Sequence, residues 1–149
     1  MSPARTVAVP RARARVYLAR AGRLIEAVDW ALTAQNADAA AGSAIHCGIA
    51  AADSFLIFHL GLRGADTDHR AVVGLIARCS SPRKDAIGHH LVALLTRKNE
   101  VEYEDSAVGI GDAQELAQHA HRLLDLVRTE LGGQARSSTD GRLPRRGKV

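Results

Sequence analysis

The sequence predicts an all-α fold, an antiparallel four-helix bundle with one additional short helix. Three observations lead there. Ala, Leu and Val dominate an apolar fraction of 46%, while only five residues are aromatic, a balance that favours helix over sheet. Apolar residues recur at spacings of three and four through four long segments. No stretch shows strand-like alternation, and no internal repeat is present. The length, 149 residues, suits a single domain.

The first helix is expected after Pro10 and runs to about Asn36. Its seam is Tyr17, Ala21, Leu24, Val28 and Ala31, widened by Leu18, Ile25 and Leu32. Trp30 lies off that stripe, as a surface anchor for a partner or a cover for a neighbouring helix. The second is expected from an Asp38 cap to Leu60, with Ile45, Ile49, Ala52, Leu56 and Leu60 inward and Gly61 as its stop. Asp53 falls beside that seam, where a carboxylate needs a partner. A short third helix opens at an Asp68 cap and covers Val72, Val73, Leu75 and Ile76. Ser81 as N-cap and Pro82 at the first position begin the fourth, which continues to about Asp105. Asp112 is expected to cap the fifth, with Glu115 completing a capping box. That helix buries Leu116, Ala120, Leu123, Val127 and Leu131 and stops at Gly132-Gly133. Three parts follow: a basic N-terminal arm over 1–11, the bundle over 12–132 and a disordered basic tail over 133–149.

Charge is divided unevenly. Residues 1–23 carry six arginines (Arg5, Arg11, Arg13, Arg15, Arg20 and Arg23) and no acid, and residues 132–149 carry a net +4. The total is +4, so residues 24–131 hold −6. Any attraction for phosphate must therefore come mainly from the ends of the chain. Cys47 and Cys79 stand far apart with no metal-ligand spacing around them, as expected of buried thiols in a reducing compartment. No run approaches 18 apolar residues, and the apolar stretch Val7-Ala8-Val9 ends at Pro10, too short for a secretion signal. A cytoplasmic protein with no membrane partner is expected.

Several chemistries lack their residues. The Glu-x-x-His pairs of di-metal bundles are missing, and Asp85/His89 and Glu115/His119 suit surface ion pairs. His89-His90 and His119/His121 are expected to point their rings to different faces, so neither a metal nor a cofactor is expected. There is no phosphate-cradling glycine loop, Cys-x-x-Cys or nucleophile motif, nor the basic-aromatic interleaving of a single-strand binder.

The informative stretch is Arg97-Lys98-Asn99-Glu100-Val101-Glu102-Tyr103-Glu104-Asp105. The seam Ile87, Leu91, Leu94 and Leu95 runs straight into it and places Lys98 where a core residue is due. That pattern suits the wall of a cleft, or equally a helix end with a solvated face. The stretch resembles the signature of the HEPN superfamily of small all-α proteins: an Arg, then usually Asn, Asp or His, then three or so residues and a His, with a Tyr in some members two places on. Setting Asn99 on the family Asn puts Lys98 at the Arg position and Tyr103 at the His position. Taking Tyr103 as the trailing Tyr puts Val101 at the His position, with Arg97 shifted by one. The segment 50–64, with Asp53 mid-helix and the exit Leu60-Gly61-Leu62-Arg63, is also similar to actinobacterial HEPN-like proteins. So are Asp68-His69-Arg70-Ala71 and Asp112-Ala113, and the resemblance covers about residues 12–131.

The resemblance implies a homodimer in which two motifs face each other across a cleft; helices one and four are expected to form the interface. Active members are metal-independent ribonucleases, often toxins paired with a nucleotidyltransferase. Here both alignments lack the catalytic His. A tyrosine with a pKa of about 10 can donate a proton at neutral pH but is a poor base. A lysine lacks the bidentate fork that arginine offers phosphate. Glu100, Glu102, Glu104 and Asp105 would moreover repel an RNA backbone. The expectation is a HEPN-like, non-catalytic homodimer that binds a protein partner, a nucleotide or RNA, within a toxin–antitoxin or defence system. Its expected cleft residues are Asp53, Arg97, Lys98, Asn99, Glu102 and Tyr103. The alternative is a ribonuclease with Arg97, Lys98 and Tyr103 as its catalytic residues.

Overall fold

A computed structural model describes residues 5–65, 69–103 and 107–139 of the chain. It is mostly helical, as expected, with α1 (Ala14–Thr33), α2 (Ala37–Leu60), α3 (Arg70–Ala77), α4 (Lys84–Tyr103) and α5 (Ile110–Thr139). A 3₁₀ turn at Arg11–Arg13 precedes α1.

α2 is the central element. Thirteen of its residues are buried, from Ala40 to Ile57, and only a narrow side marked by Asp38, Ala39, His46, Ile49 and Asp53 is left partly open. Its length and hydropathy would suit a membrane span, yet 67% of that stretch is buried inside the protein. α2 packs on α1, α4 and α5, and α5 packs on α1, α2 and α4. α1 and α4 therefore flank the α2/α5 pair on opposite sides. Phe55, Ile57, Leu94, Leu123 and Leu131 fill the shared core. At Gly48 α2 packs tightly against α4, since a Cβ there would clash with Leu94 Cδ1.

The α1/α2 seam is lined by small residues, Ala14, Ala21, Ala44 and Ala51. The backbones approach enough for the buried Ser54 hydroxyl to donate to the Ala14 carbonyl at 2.8 Å. Cys47 Sγ similarly reaches the Ala21 carbonyl at 3.4 Å. Both polar groups are thereby satisfied inside the core. Ala14, Ala21, Ile25 and Val28 are the buried residues of α1, with Tyr17, Leu24 and Ala31 half-buried beside them. Trp30 is 72% exposed, so among the described residues it covers no neighbour.

Several sequence expectations shift at the element ends. Asn36, rather than Asp38, caps α2, accepting from Ala39 N at 3.1 Å. Asp38 lies in the first turn, where a carboxylate still meets the positive end of the helix. Gly61 closes α2 in the left-handed region (φ 68°), as its placement predicts. Ser81 Oγ accepts from Arg83 N at 3.0 Å in the turn that leads into α4, but the helix begins only at Lys84, with Pro82 still in that turn. The Gly109 carbonyl takes the first bond of α5, from Ala113 N at 3.0 Å, which puts Asp112 inside the first turn instead of at the cap. α5 passes through Gly132-Gly133 and continues to Thr139. A glycine stops a helix when it adopts positive φ, and among the described residues the only glycine that does is Gly61. Inside a helix it costs only about 1 kcal/mol relative to Ala. Asp68, Asp105 and the tail beyond 139 lie outside the described residues.

The chain also forms a small sheet that periodicity does not reveal. β1 (Thr6–Ala8) pairs antiparallel with β2 (Leu62–Gly64), with Val7 opposite Arg63. Flanking bonds from Val9 N to the Gly61 carbonyl and from Ala65 N to the Arg5 carbonyl, both 2.9 Å, extend the pairing. The expected N-terminal arm is thus partly a strand docked on the exit of α2, and Val9 is buried beneath it.

Candidate functional site

The expected cleft residues separate into two places. Arg97 and Lys98 lie on the last turns of α4, both half-buried. Arg97 Nη2 meets Asp112 Oδ2 at 3.4 Å, which ties the end of α4 to the start of α5. Asn99, Glu102 and Tyr103 belong to the same helix, but their side chains lie outside the described residues. Asp53 belongs elsewhere, on the side of α2 that faces α1. Since α1 and α4 flank α2 on different sides, one copy of the chain does not bring Asp53 to the α4 terminus.

Asp53 instead lies in a groove of about 450 Å³ between α1 and α2. Arg20 and Arg23 of α1 and His46 of α2 supply its other polar groups, and Leu24, Ile49 and Ala50 form an apolar floor. The positions follow from helical spacing. Arg20 and Arg23 are three residues apart on one face of α1, and His46 and Asp53 are seven apart on one face of α2. Arg20 is held over the Tyr17 ring, 4.9 Å from its centroid. Burial pushes the Asp53 carboxyl up from 3.8 to about 6, against the opposing pull of Arg63 and Arg20. The groove therefore combines fixed positive charge, an apolar floor and a carboxyl that changes charge close to neutrality.

A second polar cluster clamps the opposite end of the helices. Glu130 of α5 accepts from Ser81 Oγ and Arg83 Nη1, both at 2.9 Å. His59 Nε2 at the end of α2 lies 2.6 Å from its other oxygen. These bonds hold the Glu130 carboxyl below the usual range, outweighing the upward push of burial. Every oxygen of Glu130 is engaged, so the cluster serves as a structural tie. Next to it, Arg11, Arg15, Phe58 and His59 line a basic recess of about 510 Å³.

The histidines depart from expectation. His89 and His90 do not point to different faces of the fold; their rings lie 5.1 Å apart, and both converge on His119 of α5. His121 turns away to meet Asp29 Oδ1 of α1 at 2.8 Å. Sequence spacing missed this because His89 and His90 flank the contact line between two antiparallel helices, and both rings fold back toward it. The α1/α2 groove was only half legible. Asp53 signalled itself as a carboxylate beside a seam, whereas Arg20 and Arg23 read only as part of a basic terminus.

No family model matches the chain, and no curated protein or solved structure matches it.

Proposed function

We propose that this chain is a HEPN-like, homodimeric four-helix-bundle module that binds a nucleotide or RNA without cleaving it, holding a phosphate on Arg20 and Arg23. The α1/α2 groove carries this reading. Two guanidinium groups give the planar, bidentate donors that phosphate recognition uses, and the Leu24, Ile49 and Ala50 floor suits the face of a base. The acidic body of the chain makes such a basic groove stand out electrostatically. The α4 stretch supports the non-catalytic part. It contains no His, and Arg97, which with Lys98 is one of the two residues the ribonuclease reading would give to phosphate, is shared with Asp112. A toxin–antitoxin or defence setting, with a nucleotidyltransferase or other protein partner, remains part of the proposal on the resemblance alone.

One observation favours a second reading, a metal-independent ribonuclease. Asp53 with a pKa of about 6 and His46 on the same face offer an acid together with a base, whereas Tyr103 can donate a proton but is a poor base. Incubating the purified chain with mixed RNA in EDTA separates the two. Intact RNA that is retained on the protein supports the binding module. Cleavage that Asp53→Asn or Tyr103→Phe abolishes would replace it with the enzyme. Sedimentation velocity at micromolar concentration should show a dimer, and a ~16 kDa monomer would remove the shared-cleft element.

A further inference from the structure

We propose that His89, His90 and His119 form a site for a borderline first-row divalent cation, Zn²⁺ foremost, bridging α4 and α5 within one chain. Each residue offers one ring nitrogen, and these three atoms lie within 4.8 Å of one another. His90 Nδ1 and His119 Nδ1 are 3.0 Å apart. Tetrahedral zinc with bonds of about 2.0–2.1 Å separates its ligand atoms by about 3.3 Å, so this pair already stands near chelating distance. The third ring closes on the ion by a side-chain rotation, which the exposed position of His89 permits.

The alternative is a simple hydrogen bond between two neutral imidazoles. It accounts for His90 and His119 but gives no role to His89, whose ring is drawn to the same point, with centroids 5.1 Å from His90 and 6.1 Å from His119. The frame beneath is firm: Ile87, Leu91 and Leu94 of α4 and Leu116, Ala120 and Leu123 of α5 are all buried. Arg122 is the cation that opposes binding. Asp85, one turn before His89, and Glu115, one turn before His119, are the carboxylates that helical spacing sets on the same faces as the two rings. Imidazole donors suit Zn²⁺, Cu²⁺ and Ni²⁺ rather than Mg²⁺ or Ca²⁺. Three protein ligands leave a position for water. His89 also borders a groove of about 330 Å³ floored by Val73, Ile76 and Val92.

The test is titration of the tag-free, EDTA-stripped full chain with Zn²⁺ against a chromophoric chelator at pH 7.5. One ion per chain with a micromolar or tighter Kd is expected, weakened at least tenfold in His119→Ala and in His89→Ala, with His121→Ala unchanged. The exposed His89 is the variant that leaves the helix packing untouched, and circular dichroism checks both folds. Failure to bind, equal binding by all variants, or half an ion per chain would each overturn an intrachain three-histidine site. The RNA experiment above contains EDTA, so its outcome is independent of this one.

Discussion

Replacing Asp53 by Asn should stabilise the protein at neutral pH. Asp53 titrates at about 6 in the folded chain against 3.8 for an ordinary aspartate. The folded state thus holds a proton that the unfolded state has already released across that window. Stability falls as pH rises from about 4 to about 6 and is flat above it, the reverse of a salt-bridged carboxylate. At 1.36 kcal/mol per pKa unit the shift corresponds to about 3 kcal/mol, which solvent around the half-buried carboxyl reduces to about 2 kcal/mol. Asn presents the shape of the protonated acid without the charge. For a chain of this size the gain should raise Tm by roughly 4–8 °C at pH 7.5 and by little at pH 4. Thermal melts followed by circular dichroism at both values make the comparison. An unchanged or lowered Tm at pH 7.5 would show that Arg63 and Arg20 fully compensate the charge. Asp53 would then be a structural residue rather than one held at a cost for function.

The remaining expectations concern the frame. Glu130→Gln keeps the shape of the clamp but removes charge-assisted bonds to Arg83 and His59, and should cost about 2 kcal/mol at pH 7 in denaturant unfolding. Because the Glu130 pKa is lowered in the fold, that difference should be full above the ordinary Glu value and vanish as pH falls through the folded one. Gly48→Ala should destabilise by about 1–3 kcal/mol, since the new methyl would clash with Leu94 Cδ1 and lie 3.4 Å from Leu123 Cδ2; an unchanged melt would refute that packing. Cys47, buried and pushed up to about 12, should resist thiol reagents until the chain unfolds.

Helix number and type were legible because long apolar periodicities survive any error at their ends. Ile87, Leu91 and Leu94, and Leu116, Ala120, Leu123, Val127 and Leu131, are all buried as their spacing requires. The central position of α2 was less visible: its burial around most of its circumference depends on Ala40, Ala44 and Ala51, which register weakly in any hydrophobic pattern. β1 and β2 are three residues each, too short to show alternation, and their pairing joins segments more than fifty residues apart. Caps shifted by one to three positions wherever several of Asn, Asp, Ser and Gly stood together, as at Asn36/Asp38 and Gly109/Asp112. For the site, sequence singled out Asp53 but set it beside Arg97, because a motif comparison carries no information about which side of a helix faces which neighbour. The histidine cluster escaped for the same reason, being a property of the α4/α5 contact rather than of either helix.

The central claim is phosphate recognition in the α1/α2 groove, and fluorescence anisotropy of a labelled oligoribonucleotide in EDTA at fixed salt tests it directly. Wild-type protein should bind and leave the RNA intact, Arg20→Ala with Arg23→Ala should weaken binding at least tenfold, and Asp53→Asn should tighten it at pH 7.5. Binding that is indifferent to both arginines, or absent in the wild type, would contradict the account.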